Sequence, residues 1–126
     1  MSRSATAKVF ELSVPGDARV LSIRLAATWF SRAIGLLATP RLDDPCGLWI
    51  VPCNSVHTFW MRYAIDVVFV DAAGVVMKVV PMLKPWRMAG CRRARATLEL
   101  RAGLARELGI VPGTALGAPI AGRPAR

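Results

Sequence analysis

With 126 residues, a hydrophobic fraction of 54% and a mean hydropathy of +0.41, the chain has the length and apolar content of one folded domain, not those of a disordered polymer. The formal net charge is +9, and 14 of the 17 basic residues are arginine. That balance favours contact with phosphates, nucleic acid or anionic lipid, although a general bias toward Ala, Arg, Gly and Pro produces the same composition. Three cysteines, Cys46, Cys53 and Cys91, exclude a fully paired disulfide framework, and reduced thiols in a cytosolic setting are the simplest account.

The first residues lack the apolar run of a secretory signal peptide. No apolar stretch reaches the 18 or so residues of a membrane helix, because Arg24 and Arg32 interrupt one candidate and Pro52, Asn54 and His57 another. The expectation is a cytoplasmic, soluble single domain with its core over about 7–118 and a short frayed tail at 119–126.

Residues 7–14 alternate apolar and polar, Pro15-Gly16-Asp17 supplies a turn, and alternation resumes over 18–26, which predicts an N-terminal hairpin. Thr28 is placed to cap a short helix over 29–37, closed by Pro40. Residues 47–51, GLWIV, read as a buried strand ended by Pro52. After a loop at Cys53, Asn54 and Ser55, an extended segment over 57–62 would put His57, Phe59 and Met61 on one face and Thr58, Trp60 and Arg62 on the other.

Residues 65–70 and 75–80 flank Ala72-Ala73-Gly74 and form the clearest hairpin, its first strand apolar on both faces and therefore central. Residues 81–95 hold two prolines, a glycine and five basic residues without an acid, and read as a long loop. A strand over 95–100, one or two helical turns over 104–109 stopped near Gly109, and a last strand around 114–118 complete the chain. Seven or eight short strands with one or two brief helices predict a mainly β fold, an antiparallel, jelly-roll-like sandwich or barrel.

The chemistry concentrates between Cys53 and Asp71. Cys53, His57 and Asp66 are the candidates for a thiol-dependent or metal-dependent enzyme: an imidazole activates a thiol and a carboxylate orients it, but only if the chain turns at Asn54-Ser55. One His and three scattered Cys do not make a closed zinc site, and no motif implies a cofactor. The alternative for His57 is an imidazole bonded to a carbonyl or to Asp66, and for Asp66 a loop-bracing carboxylate partnered by Arg62 or by amides of the 53–58 loop.

As a binding site, Asn54, Ser55, His57, Thr58, Trp60, Arg62 and Asp66 would line a polar and aromatic cleft for a small anionic or polyhydroxyl ligand. The basic run Lys84, Trp86, Arg87, Arg92, Arg93 and Arg95 fits a phosphate backbone with a stacked base, or simply a solvated loop, since no recognised nucleic-acid motif accompanies it. A binding or interaction domain for a small molecule or a protein partner is the leading reading. An enzyme and a nucleic-acid binder are the alternatives.

The runs FSRAIGLLATPRL, GLWIV, NSVHTFWMRYAIDVVFVDAAGVV and LEL, followed by AG and LGI, resemble the domain of unknown function 192 family over about residues 18–116. The resemblance implies a compact, mostly β, jelly-roll-like domain of bacteria and archaea and no established activity, substrate or cofactor. Where that family commonly has Pro before the Leu/Ile-Asp pair, this sequence has Ala64.

Overall fold

The period-2 alternation becomes a six-stranded sheet whose two faces bury separate sets of apolar side chains. The computed structural model describes residues 9–17, 19–26 and 46–116. These form β1 (Val9–Ser13), β2 (Val20–Ala26), β3 (Cys46–Ile50), β4 (Ser55–His57), β5 (Ile65–Val70), β6 (Val76–Leu83), β7 (Met88–Gly90), β8 (Ala96–Arg101) and one helix, α1 (Leu104–Leu108). The large sheet runs β1-β2-β3-β8-β5-β6, and β4 pairs β7 in a separate two-stranded sheet. Neighbours are antiparallel except β2 and β3, which are parallel. Both sheets are open, which makes the architecture layered and not a closed barrel.

On one face of the large sheet, Leu21, Ile23, Trp49, Val68, Val70, Leu98 and Leu100 pack under Leu104, Ala105 and Leu108 of α1. On the other, Leu48, Ile50, Val67, Phe69 and Ile65 pack under Val56, with Ala89 alongside, so the β4–β7 sheet forms the opposite cover. Every residue of β5 is buried, as a strand covered on both faces requires. Trp49 and Phe69, each 0% exposed, anchor the two faces, and truncating either to Ala would cost roughly 3–5 kcal/mol. Gly47 allows β3 to approach β8 closely, since a Cβ there would lie 2.7 Å from a Leu100 methyl group. Gly109 (φ 74°) closes α1 in the left-handed conformation expected of a helix-ending glycine.

The two expected hairpins are present as β1–β2 and β5–β6. The helix expected over 29–37 lies outside the described residues. Three expectations are corrected. Residues 57–62 are not extended: the strand ends at His57 and the chain turns, with Trp60 at φ 73°. Residues 81–95 are not one loop, because β6 continues to Leu83 and β7 is a strand in its own right. Pro81 is tolerated inside β6 because β6 is an edge of the sheet, where a missing N–H need break no ladder bond. The last expected strand is a single bridge, Val75 to Ala115, with residues 113–116 hydrogen-bonded beside Gly74 and Val76.

Candidate functional site

Thr58, directly after β4, is fully buried and joins two loops that are distant in sequence. Its amide donates to the Arg87 carbonyl at 2.9 Å, and its own carbonyl accepts from the amides of Met61 at 3.2 Å and Trp86 at 3.1 Å. Its hydroxyl donates to the Lys84 carbonyl at 2.6 Å and accepts from the Arg87 amide at 2.9 Å. Both hydrogen-bonding capacities of one side chain thus clip the 58–62 turn to the 84–87 turn.

Each clipped turn carries a tryptophan in the left-handed region, Trp60 at φ 73° and Trp86 at φ 65°. That conformation costs a bulky L-residue roughly 1–2 kcal/mol and is held only where the surroundings impose it. The rings nonetheless remain in solvent, Trp60 69% exposed and Trp86 52% exposed. They meet edge to face at 4.7 Å between centroids. Phe59 stacks on Trp86 at 5.6 Å, and His57 stacks on Phe59 at 4.7 Å. Four rings from β4 and two loops therefore form one continuous aromatic platform.

Met82 and Met88, 61% and 70% exposed, belong to the same stretch of chain as Trp86, and Met88 stands opposite His57 in the β4–β7 register. Among the described residues the only other exposed large apolar side chain is Val111. The exposed Arg62, Lys84 and Arg87 sit on the two clipped turns. Among the described residues none of the three makes an ion pair, whereas Arg19 and Arg101 near α1 do.

Two candidate sets read from sequence as separate thus converge: His57, Thr58, Trp60 and Arg62 from one, Lys84, Trp86 and Arg87 from the other. Arg92, Arg93 and Arg95 do not join them, because β7 carries the chain away from Trp86 to a turn at 91–95. Asn54 and Ser55 brace that same end. The Asn54 carbonyl accepts from the Cys91 amide at 2.9 Å, its side-chain amide donates to the Arg92 carbonyl at 3.2 Å, and Ser55 pairs with Gly90.

The expected proximity of His57 and Asp66 is not what the structure shows. Asp66 alternates with Val68 and Val70 on the α1 face of the large sheet, whereas His57 belongs to the cover on the other face. The partners of Asp66 are neither Arg62 nor the 53–58 loop. One carboxylate oxygen accepts from the Met82 amide at 2.8 Å, the other from the amides of Gly103 at 3.0 Å and Ala105 at 2.9 Å. Cys53 donates its thiol hydrogen to the Ser55 carbonyl at 3.1 Å, and His57 stacks on Phe59. Among the described residues no three His, Cys, Asp or Glu side chains converge on a metal position.

Sequence reading missed Glu99. In the run ATLELR, Thr97 and Glu99 read as the solvent face of a strand, yet both are buried under the β4–β7 cover. The Thr97 hydroxyl donates to the Cys53 carbonyl at 3.1 Å. Burial, with the negative charge of Glu99 as the lesser cause, holds the Tyr63 phenol above its ordinary pKa of 10.0. Among the described residues a cover of two short strands, invisible until β4 and β7 are seen to pair, turns that face inward.

Fold and platform together define a small, mainly β domain of open sheets with a solvent-facing aromatic surface. The family model for DUF192, described as "Uncharacterized ACR", matches residues 11–118, and the chain belongs to that family. A UPF0127 protein of Thermococcus sibiricus (strain DSM 12597 / MM 739) is 33% identical over 70 residues, which cover 52% of this chain and 44% of that protein. The match thus spans less than half of that relative's length.

Two solved structures share the fold. A protein of unknown function from Novosphingobium aromaticivorans DSM 12444 superposes with a TM-score of 0.73 at 23% identity, covering 92% of this chain and 98% of that one. A Sinorhizobium meliloti 1021 protein described as a "putative transcription regulator" gives a TM-score of 0.74 at 19% identity, covering 92% and 96%. No helix among the described residues is long and apolar enough to cross a membrane.

Proposed function

We propose that this chain is a binding domain whose recognition surface is the platform of His57, Phe59, Trp86 and Trp60, rimmed by Arg62, Lys84 and Arg87. Its ligand combines a flat or polyhydroxyl face with negative charge. The observation that carries this reading is that two tryptophans occupy a strained backbone conformation and leave their rings in water. Strain and apolar exposure both work against stability, and their coincidence at one clipped pair of turns is the pattern of a surface shaped for a partner.

Among the described residues no carboxylate pairs with Arg62, Lys84 or Arg87, which leaves their charge to a ligand. A titration followed by the indole N–H resonances tests the reading, with a nucleoside monophosphate and a sulfated disaccharide as probes. The expected result is that Trp60 and Trp86 shift while the buried Trp49 does not. Shifts confined to residues around α1, or no shift with either probe, would remove the platform as a recognition surface.

A further inference from the structure

We infer that the ligand of this platform is single-stranded nucleic acid; the inference rests on the binding-domain reading and names its partner.

The geometry of the rings is the first ground. Trp60 and Trp86 are inclined by 63°, so they do not form a slot for one flat molecule. They present two separately oriented faces, and Phe59 and His57 extend the ladder behind Trp86 with interplanar angles of 23° and 28°. Successive flexible units, each with its own π-face, match that arrangement. Unpaired bases are such units, whereas in a duplex the faces are already stacked and hidden.

The distribution of charge is the second. Beyond the rim, the outer side of the β4–β7 sheet leads from Trp86 along Met88 and Gly90 to the turn bearing Arg92, Arg93 and Arg95. Strand β7 joins the two turns, and its three residues span about 10 Å at roughly 3.3 Å each. Lys78 reaches this track from β6, its ammonium donating to the Gly90 carbonyl at 2.9 Å. Among the described residues no carboxylate pairs with any of these four cations.

The two buried carboxylates nearest in the fold, Asp66 and Glu99, lie inside the layers and not on this surface. Asp71, next to Val70 whose carbonyl takes the Arg95 amide, holds its carboxylate on the amides of Ala73 and Val75, while the track itself carries cations and starts at stacking rings. A neutral glycan would need the rings but not the cations. A polyanion without bases would need the cations but not the rings.

Binding of the full-length chain to a labelled oligothymidylate of about eight nucleotides, by fluorescence anisotropy at about 50 and about 200 mM salt, tests the inference. Unlabelled duplex of the same length and a sulfated oligosaccharide of equal charge serve as competitors. The single strand is expected to bind, to resist both competitors, and to weaken with salt at a log–log slope of about −2 or steeper, for three or more phosphates at about −0.7 each.

Trp60→Gly and Trp86→Gly keep the left-handed backbone accessible and remove the rings, and each is expected to weaken binding about 5- to 100-fold with the circular dichroism spectrum unchanged. Competition that follows charge alone, with the tryptophan variants binding like the parent, would overturn the inference. If the sulfated oligosaccharide binds through the tryptophans and the single strand does not, the nucleic-acid class falls and the platform stands. If neither binds, both fall.

Discussion

The carboxylate of Asp66, on strand β5 one place in from the sheet edge, accepts the backbone amide of Ala105 in the first turn of α1 at 2.9 Å. The same oxygen takes the Gly103 amide and the other oxygen the Met82 amide, so one buried side chain ties the helix, the end of β8 and the outer strand β6 to β5. A helix of five residues has no stability of its own, and three amides without a partner in a buried site would each cost about 1–3 kcal/mol.

Asp66→Ala is therefore expected to lose roughly 3–5 kcal/mol, read as a lowered urea midpoint. Asp66→Asn, which turns an NH2 toward donors, is expected to lose roughly 2–3 kcal/mol. Single-strand binding by the fraction that remains folded should be unchanged. A loss below about 0.5 kcal/mol in both variants would show that these amides are satisfied without the carboxylate.

Thr58 makes an analogous connection at the other cover. Thr58→Val preserves shape but leaves the Arg87 amide and the Lys84 carbonyl without the hydroxyl, while Thr58→Ser retains both bonds. The valine variant should be destabilised by about 1–3 kcal/mol and should separate the two turns, so that a circular dichroism couplet from Trp60–Trp86 coupling, expected at roughly 225 nm in the parent, is lost. The serine variant should keep that signal. Equal spectra for the two variants would mean that the backbone bonds alone hold the platform.

Much of the large sheet is legible from period and punctuation. Leu12 and Val14, then Leu21 and Ile23, fall on one face around Pro15-Gly16, and the apolar residues on both faces of β5 announce a strand covered on both sides, although it lies one place in from the edge and not at the centre. The platform is not legible in the same way, because Phe59, Trp60 and Met61 continue an alternation that reads as strand, and only tertiary hydrogen bonds to Thr58 impose the left-handed turn. Pro81 and Pro85 similarly read as loop, although an edge position lets β6 run through the first. Asp66 reads as a carboxylate in need of partners, yet its partners lie as much as 39 residues away in sequence, beyond the reach of any local pattern.

Around α1 the charges predict acid sensitivity. Glu107 accepts two hydrogen bonds from Arg101, at 2.9 and 3.0 Å, and Arg19 stands 3.7 Å away. The hydrogen bonds from Arg101 hold the Glu107 carboxyl below its ordinary 4.5, with the charges of both arginines adding to them, and a hydrogen bond from Arg19 similarly lowers Asp17. A carboxyl depressed in the folded state stabilises above its ordinary value and loses that contribution as pH falls through the folded one. Tm should therefore decline below about pH 4.5. Glu107→Gln should flatten part of the decline, and about 1 M salt should diminish it because these groups are exposed. An identical pH profile in parent and variant would remove this cluster from the account.

Tyr63 is the single tyrosine of the chain, so its ionisation can be followed in the ultraviolet without overlap from another phenol. It packs against the apolar cluster between the large sheet and the β4–β7 cover, and burial raises its pKa above 10.0, with the charge of Glu99 contributing less. A phenol whose folded pKa is raised adds stability that is complete below the ordinary value and is lost as pH rises through the folded one. The absorbance midpoint should therefore lie above that of free tyrosine and be followed closely by alkaline unfolding. Glu99→Gln, studied where its circular dichroism matches the parent, removes the lesser cause, so its midpoint should move down and yet stay above 10.0. A parent midpoint equal to that of free tyrosine would place Tyr63 in water and contradict the burial of this layer. A midpoint unmoved in the variant would assign the whole shift to burial.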